Sequence, residues 1–300
     1  MNLSWSPKEL LGATVVIGNF DGVHLGHQSL FQTAKKYGDP VLALTFSPHP
    51  MTVFAPEKAP TLLTTHNSKV KYLLAAGADS VATISFDLTI AGLLPKYFEE
   101  FLRDQLKVKR LVIGKNFTYG KNAAGNVQTL QAAGFEVQIT DLLDKNGTIS
   151  SSRIRKLITE GDVVTAKELL GRYFKLEGVV VHGEKRGREI GYPTANLGSI
   201  ENWTIPADGI YAGWLRVGDQ TWPAAISIGT NPTFIGVRGR QVEAYALEEK
   251  DLDLYDQAAE VFFGWRLRET LKFDGLDPLL EQMAIDCRQT KELTAGGLDG

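Results

Sequence analysis

Thr14-Val15-Val16-Ile17-Gly18-Asn19-Phe20-Asp21-Gly22-Val23-His24-Leu25-Gly26-His27 decides the fold of the first half of the chain. A short β-rich run ends at glycine and aspartate, and helical spacing follows over Gln28 to Tyr37. Gly18, Gly22 and Gly26 permit a tight turn and let a ligand approach the backbone closely. The helix start behind them offers free N–H groups and positive potential, which suit phosphate. His24 and His27 stand three residues apart, so one helical turn brings them to the same face. Two of the chain's five histidines inside one glycine-rich turn point to hydrogen-bond donors for a polyphosphate rather than to a chance pair.

The pattern extends on both sides. Val41 to Phe46, Ser80 to Phe86 and Arg110 to Gly114 read as strands, and Asn67 to Ala76 and Leu94 to Leu106 read as helices. Alternation of this kind predicts a parallel sheet covered on both faces, with ligands beyond the carboxyl ends of its strands. Gly18 to His27, Ser47 to Pro50 and Gly114 to Gly125 all fall at such ends. After about residue 158 the pattern changes. Glu160 to Leu170 reads as a helical connector. Phe174 to His182, Gly209 to Val217, Gln220 to Ile228, Gln241 to Ala246 and Val261 to Leu267 read as short strands, and Asp277 to Thr294 as a closing helix. Their spacing fits a small antiparallel barrel or sandwich. The boundary is expected near residues 156 to 174, giving an N-terminal domain over 1–158 and a C-terminal domain over 172–300.

Composition narrows the partners. The chain has 300 residues, 43% hydrophobic and 22% charged, with a net charge of -3, and its pI is near 6.0. That balance gives no general attraction to nucleic acid or to membranes, so phosphate must be held locally. An RNA-binding module would need a basic stripe with aromatics, which the acidic balance opposes. Cys287 is the single cysteine, which excludes an intramolecular disulfide and four-cysteine zinc sites and fits a reducing, cytoplasmic setting. Residues 1–12 do not read as a signal peptide, and no apolar run reaches bilayer length. Protein partners and oligomeric state are not legible.

Two further segments carry chemistry. Ile149 to Arg155 sets three hydroxyls before Arg153 and Arg155, a group able to hold phosphate and also an ordinary serine-capped helix start. Gly114 to Gly120 is a polar loop with two aromatics, which seats either an adenine or a flavin, or is a plain loop. The His-x-Gly-His turn with the Ser-Ser-Ser-Arg segment resembles the nucleotidylyltransferase superfamily. With Thr45-Phe46, Pro48-His49-Pro50 and Gly114 to Gly120, residues 12 to 158 resemble the FMN adenylyltransferase module of bacterial bifunctional riboflavin kinase/FAD synthetases. The resemblance implies a Rossmann-like α/β fold in which His24, His27, Gly18, Asp21, Gly22 and Gly26 serve ATP phosphates. It places Asn116 in the active site and gives Ser151, Ser152 and Arg153 a phosphate. Ser47 stands where many members carry an acidic residue.

Gly183-Glu184-Lys185-Arg186-Gly187-Arg188-Glu189-Ile190-Gly191-Tyr192-Pro193-Thr194-Ala195-Asn196 is the sharpest motif of the chain. Gly183, Gly187 and Gly191, interleaved with Lys185, Arg186 and Arg188, make a loop that can wrap phosphates, though not a Walker A loop. Thr194 and Asn196, two apart in extended chain, offer hard oxygens on one side, as Mg²⁺ bound to ATP requires. Glu243, in a β-like run, is either a general base or an exposed strand carboxylate. With Pro206 to Tyr211 and Ile228 to Phe234, these residues resemble the riboflavin kinase domain over about 172 to 292. That resemblance implies a β-barrel with a closing helix, Mg²⁺ on Thr194 and Asn196, and Glu243 as the base for the riboflavin hydroxyl. ATP, riboflavin, FMN and FAD are then the small-molecule substrates and products.

Overall fold

The computed structural model describes residues 1–141, 143–145, 147–182, 191–200, 202–229, 240–249 and 252–298. It divides into two compact units, Met1–Ser151 and Ser152–Gly300.

The first unit is built on a six-stranded sheet in the order β1-β4-β3-β2-β5-β6. Its strands are β1 (Leu3–Ser6), β2 (Thr14–Ile17), β3 (Val41–Ser47), β4 (Ser80–Ser85), β5 (Arg110–Gly114) and β6 (Val137–Thr140). The pairs β2–β3, β3–β4, β2–β5 and β5–β6 are parallel, as expected. β1 departs from the expected pattern by joining β4 antiparallel at one edge. The helices are α1 (Leu25–Lys35), α2 (Pro50–Phe54), α3 (His66–Ala75), α4 (Leu88–Ala91), α5 (Pro95–Glu100) and α6 (Val127–Ala132). The helix expected over Leu94 to Leu106 keeps its extent but not its winding, because α5 passes into a π-helical turn over Phe101–Gln105.

Strand alternation explains why both faces are covered. Val15 and Ile17 pack on one side with Phe98, Leu102 and Leu111. Val16 packs on the other with Leu30, Phe31 and Leu73. Each large side chain removed from water in this way contributes roughly 1.5–3 kcal/mol. From β2 the connections run through β3 and β4 in one direction and through β5 and β6 in the other. The crevice between the ends of β2 and β5 is therefore a topological switch point, where such sheets bind ligands.

The second unit holds all but the first residue of α7 (Ser151–Glu160), then α8 (Val163–Leu170), β7 (Phe174–Val181), β8 (Ala195–Gly198), β9 (Gly209–Val217), β10 (Gln220–Gly229), β11 (Gln241–Ala246), β12 (Ala258–Arg268) and α9 (Leu276–Leu293). The strands close into a barrel in the order β10-β11-β8-β7-β12-β9, which decides between barrel and sandwich. Closure needs backbones to approach closely, and a Cβ at Gly213 would lie 1.9 Å from the Phe262 carbonyl oxygen. α8 is capped by Asp162, whose carboxylate accepts from Thr165 N, and it ends at Gly171 in the left-handed conformation. It lays buried Ala166, Leu169 and Leu170 against β7 and β12. α9 is tied to the barrel by Arg268 of β12, whose guanidinium donates to the buried Asp286 carboxylate at 3.0 and 2.7 Å. The β8–β11 seam is the shortest among the described residues, with the two pairs Glu243↔Asn196 and Ala244↔Ala195.

Candidate functional sites

The turn between β2 and α1 is held from several directions. Asp21 is buried, and its carboxylate accepts from Leu63 N, Thr64 N and Thr64 Oγ1 at 3.0 to 3.2 Å. Thr64 Oγ1 also accepts from Gly22 N, and Ser151 Oγ donates to the Asp21 carbonyl at 2.8 Å. Asp21, placed among the phosphate-contacting residues from the sequence, thus turns its charge onto the backbone of residues 63–64. Gly22 has φ +83, as its residue type suggests, but Phe20 (φ 52) and Val23 (φ 38) also take left-handed conformations. Such backbone costs of order 1–3 kcal/mol per residue, and here both side chains are buried in the core to hold it.

His24 caps α1, its Nδ1 accepting from His27 N at 3.2 Å. Nδ1 is then an acceptor, so the ring proton of the neutral imidazole sits on Nε2. The rings of His24 and His27 stack with centroids 3.6 Å apart. The sequence expectation of a shared face holds. Gly18 and Gly26 lie in the same turn, and a Cβ at Gly26 would meet the His24 ring at 3.1 Å. Ser152 is exposed and Arg153 half-buried on the first turn of α7.

Beside the turn lies a cavity of about 800 Å³ lined by Gly18, Asn19 and Asn116. Phe46, Phe54, Phe86, Phe98, Phe117 and Tyr119 give it an aromatic wall. Phe117 and Tyr119 stack at 5.8 Å. Tyr119 donates to Glu99 Oε1 at 2.6 Å and meets Thr129 Oγ1 at 2.9 Å. Burial, and then the Glu99 bond, push its phenol well above its ordinary value, so it stays a donor. A group the sequence does not reveal completes this region. Lys69 of α3 donates to the carbonyls of Asn19 (3.3 Å) and Phe46 (2.9 Å). Burial lowers its ammonium to about 8, with the Asp21 charge opposing the shift.

In the second unit, Thr194 Oγ1 donates to Glu243 Oε2 at 3.2 Å, and Asn196 Nδ2 lies 3.5 Å from Thr194 Oγ1. The barrel register sets Glu243 opposite Asn196, so the three side chains named from the sequence converge at one seam. Val242 and Ala244 are buried on the inner face, which leaves Glu243 half-buried on the other. Gly191 has φ +88, a conformation suited to glycine. Gly183, Lys185, Arg186, Gly187 and Arg188, expected to wrap phosphate, lie outside the described residues, as do Thr230 to Phe234.

Comparison with known proteins matches residues 6–153 to an FAD synthetase model and residues 170–294 to a riboflavin kinase model. The bifunctional riboflavin kinase/FMN adenylyltransferase of Escherichia coli (strain K12) is 37% identical over 98% of this chain and 94% of its own. The chain belongs to the bifunctional riboflavin kinase/FMN adenylyltransferase family. The protein of the same name from Bacillus subtilis (strain 168) is 34% identical over 93% of this chain and 92% of its own. A solved structure from Streptococcus pneumoniae, described as a macrolide-efflux protein, superposes with a TM-score of 0.83 and 32% identity over 93% of this chain and 94% of that one. Among the described residues no helix is long and apolar enough to cross a membrane. A riboflavin kinase/FMN adenylyltransferase makes FMN from riboflavin and FAD from FMN, with the FAD synthetase module N-terminal and the kinase module C-terminal.

Proposed function

We propose that the turn at His24 and His27, with the cavity beside it, is the adenylyl-transfer centre, and that the Thr194–Asn196–Glu243 cluster is the phosphoryl-transfer centre. The reading of the first rests on one juxtaposition. A helix N-terminus bearing two imidazoles adjoins an aromatic cavity large enough for a tricyclic ring. The FMN phosphate is already anionic near neutral pH. Its oxygen attacks the α-phosphorus of ATP, the bond to the β-phosphate breaks, and pyrophosphate leaves. No general base is needed. The chain's task is alignment and neutralisation of the departing charge. His24 Nε2–H and the imidazole of His27 are donors for that charge. Asn116 at the cavity wall serves the reacting groups. Gly18, Gly22 and Gly26 let phosphate come close to the backbone. Ser151 braces the turn through the Asp21 carbonyl.

The kinase centre faces a different problem, because a ribityl hydroxyl is a poor nucleophile. Glu243 takes its proton as the oxygen attacks the γ-phosphorus and ADP departs. The Thr194 hydroxyl, at 3.2 Å, orients the carboxylate. Thr194 and the amide of Asn196 are hard oxygen donors beside a single carboxylate, a set that fits a Mg²⁺ still carried by nucleotide phosphates. Among the described residues no group of three His, Cys, Asp or Glu could hold a metal by itself. Bound there, Mg²⁺ would supply charge neutralisation on the phosphates. A reducing, cytoplasmic setting agrees with the single half-buried Cys287.

The test is to supply the full-length protein with Mg-ATP and either riboflavin or FMN. Variants at His24 or His27 should stop FAD formation from FMN yet leave FMN formation from riboflavin. The converse result would reverse the assignment of the two centres.

A further inference from the structure

We infer that Lys69 is a positioning residue for adenylyl transfer: its ammonium holds the backbone carbonyls of Asn19 and Phe46 and thereby sets the phosphate turn against the aromatic cavity. The inference rests on the assignment of that turn and cavity as the adenylyl-transfer centre.

Three observations carry it. Asn19 lies just past β2 and Phe46 is the penultimate residue of β3, and these strands are parallel neighbours, so one side chain ties together two adjacent strand ends. Asn19 and Phe46 both line the cavity. The Asn19 carbonyl belongs to the peptide that leads into Phe20, whose φ is 52. Thr45 Oγ1 donates to the same carbonyl at 3.2 Å. Lys69 therefore grips the peptide at which the turn departs from ordinary backbone.

Holding a partly desolvated charge on two neutral carbonyls is an expensive way to brace a loop, and a neutral donor would brace it with less desolvation. What the charge adds is rigidity, since charge-assisted hydrogen bonds are shorter and stronger than neutral ones. In an in-line displacement, small misplacements of the attacking group cost rate far more than affinity. The charged and titratable groups facing Lys69 are Asp21, whose field favours the ammonium, and His66 of the same helix, whose protonation burial and then Lys69 disfavour.

The two consequences of pH have opposite signs. With the ammonium held near 8, its charge, and with it the tightest grip on the turn, fades as pH rises through about 8. Adenylylation should decline there. The folded chain binds this proton less tightly than the unfolded chain, whose lysine has an ordinary value of 10.5, so the unfolded state carries the extra proton between about 8 and 10.5. The Lys69 contribution to stability must therefore rise with pH over that interval. A residue that only stabilised the fold would not lose turnover while gaining stability.

The experiment uses the full-length protein as wild type, Lys69→Met and Lys69→Arg. FAD formation from FMN is measured from about pH 7 to about pH 10, with FMN formation from riboflavin as the control for folded protein. Lys69→Met should lower kcat for FAD formation about 10- to 100-fold near neutral pH, with KM for FMN and ATP changed only a few-fold. Lys69→Arg should restore much of kcat and, being always charged, remain level where wild type declines. A Lys69→Met kcat within about twofold of wild type, or wild type and Lys69→Arg declining together, would overturn the inference. Should Lys69→Met not fold, the alkaline limb of Lys69→Arg decides alone. If His24 and His27 variants also keep FAD formation, the site assignment has failed. If they lose it while Lys69 variants behave as wild type, only the role of Lys69 falls.

Discussion

The imidazoles of His24 and His27 lie parallel to within 17°, and the main-chain N–H of one donates to the ring Nδ1 of the other. One histidine therefore does two jobs, capping α1 and presenting a ring donor. His24→Asn separates them, because asparagine is an equally good cap but too short to present Nε2. It should fold as wild type by circular dichroism yet lose about 10²–10³-fold in kcat for FAD formation, the usual worth of one such donor. Near-normal FAD synthesis would leave His24 a cap alone.

Glu243→Gln keeps the shape and the Thr194 hydrogen bond but removes basicity. FMN formation should fall about 10²–10⁴-fold while riboflavin and ATP still bind. Asn196→Ala should instead weaken Mg-ATP binding, seen as a raised KM for ATP. Both should convert supplied FMN to FAD at the wild-type rate. Failure from both substrates would mean that the two centres depend on one another.

Gly125 lies under the ring of Tyr119, where an added Cβ would come within 2.5 Å of ring carbon. Gly125→Ala must push the ring off its Glu99 and Thr129 partners. Leaving those polar groups unpaired costs about 1–3 kcal/mol. FMN affinity should drop, measured by flavin fluorescence, and an unchanged Kd would remove Tyr119 from the cavity wall that matters.

Removing the Asp286 side chain strands the Arg268 guanidinium between β12 and α9. Asp286→Ala should destabilise the second unit by about 3–5 kcal/mol, read by chemical denaturation. A change below about 1 kcal/mol would place this pair with weak surface ion pairs.

α8 packs Ala166, Leu169 and Leu170 on the barrel. A fragment starting at Ser152 should therefore fold and make FMN but not FAD. One starting at residue 172 exposes that apolar strip and should aggregate or melt at lower temperature. FAD from either fragment would refute the division of labour.

Much of this was readable in advance because glycine, histidine and aspartate punctuate strand ends in ways that alternatives do not reproduce. The turn after β2 belongs to that class, whereas Glu243 was linked to Thr194 and Asn196 only by the family resemblance, because a lone strand glutamate reads equally well as an exposed carboxylate until the β8–β11 register sets it opposite Asn196. β1 was not readable: Leu3-Ser4-Trp5-Ser6 is too short to show a period, and an edge strand takes its direction from its neighbour. Lys69 resembles Lys71 two residues on, and only tertiary structure shows that one reaches backbone carbonyls. Of the aromatic wall, only the loop carrying Phe117 and Tyr119 stood out in the sequence; Phe46, Phe54, Phe86 and Phe98 are scattered along the chain and meet only when the sheet places β4, β3, β2 and β5 in that order. The Leu94 to Leu106 stretch has helical periodicity, which does not distinguish an α turn from the wider turn at Phe101–Gln105.

The brevity of the β8–β11 seam has a consequence for motion. Amide hydrogen exchange reports the least stable opening available to each bond, and a ladder of two residue pairs is the natural place for a closed barrel to unzip. Asn196 and Glu243 face each other across that ladder. Amides there should exchange faster than those of the long β9–β12 ladder. A nucleotide bridging the two strands would act as a clasp, slowing exchange at the seam first and binding most strongly to the shut form of the barrel.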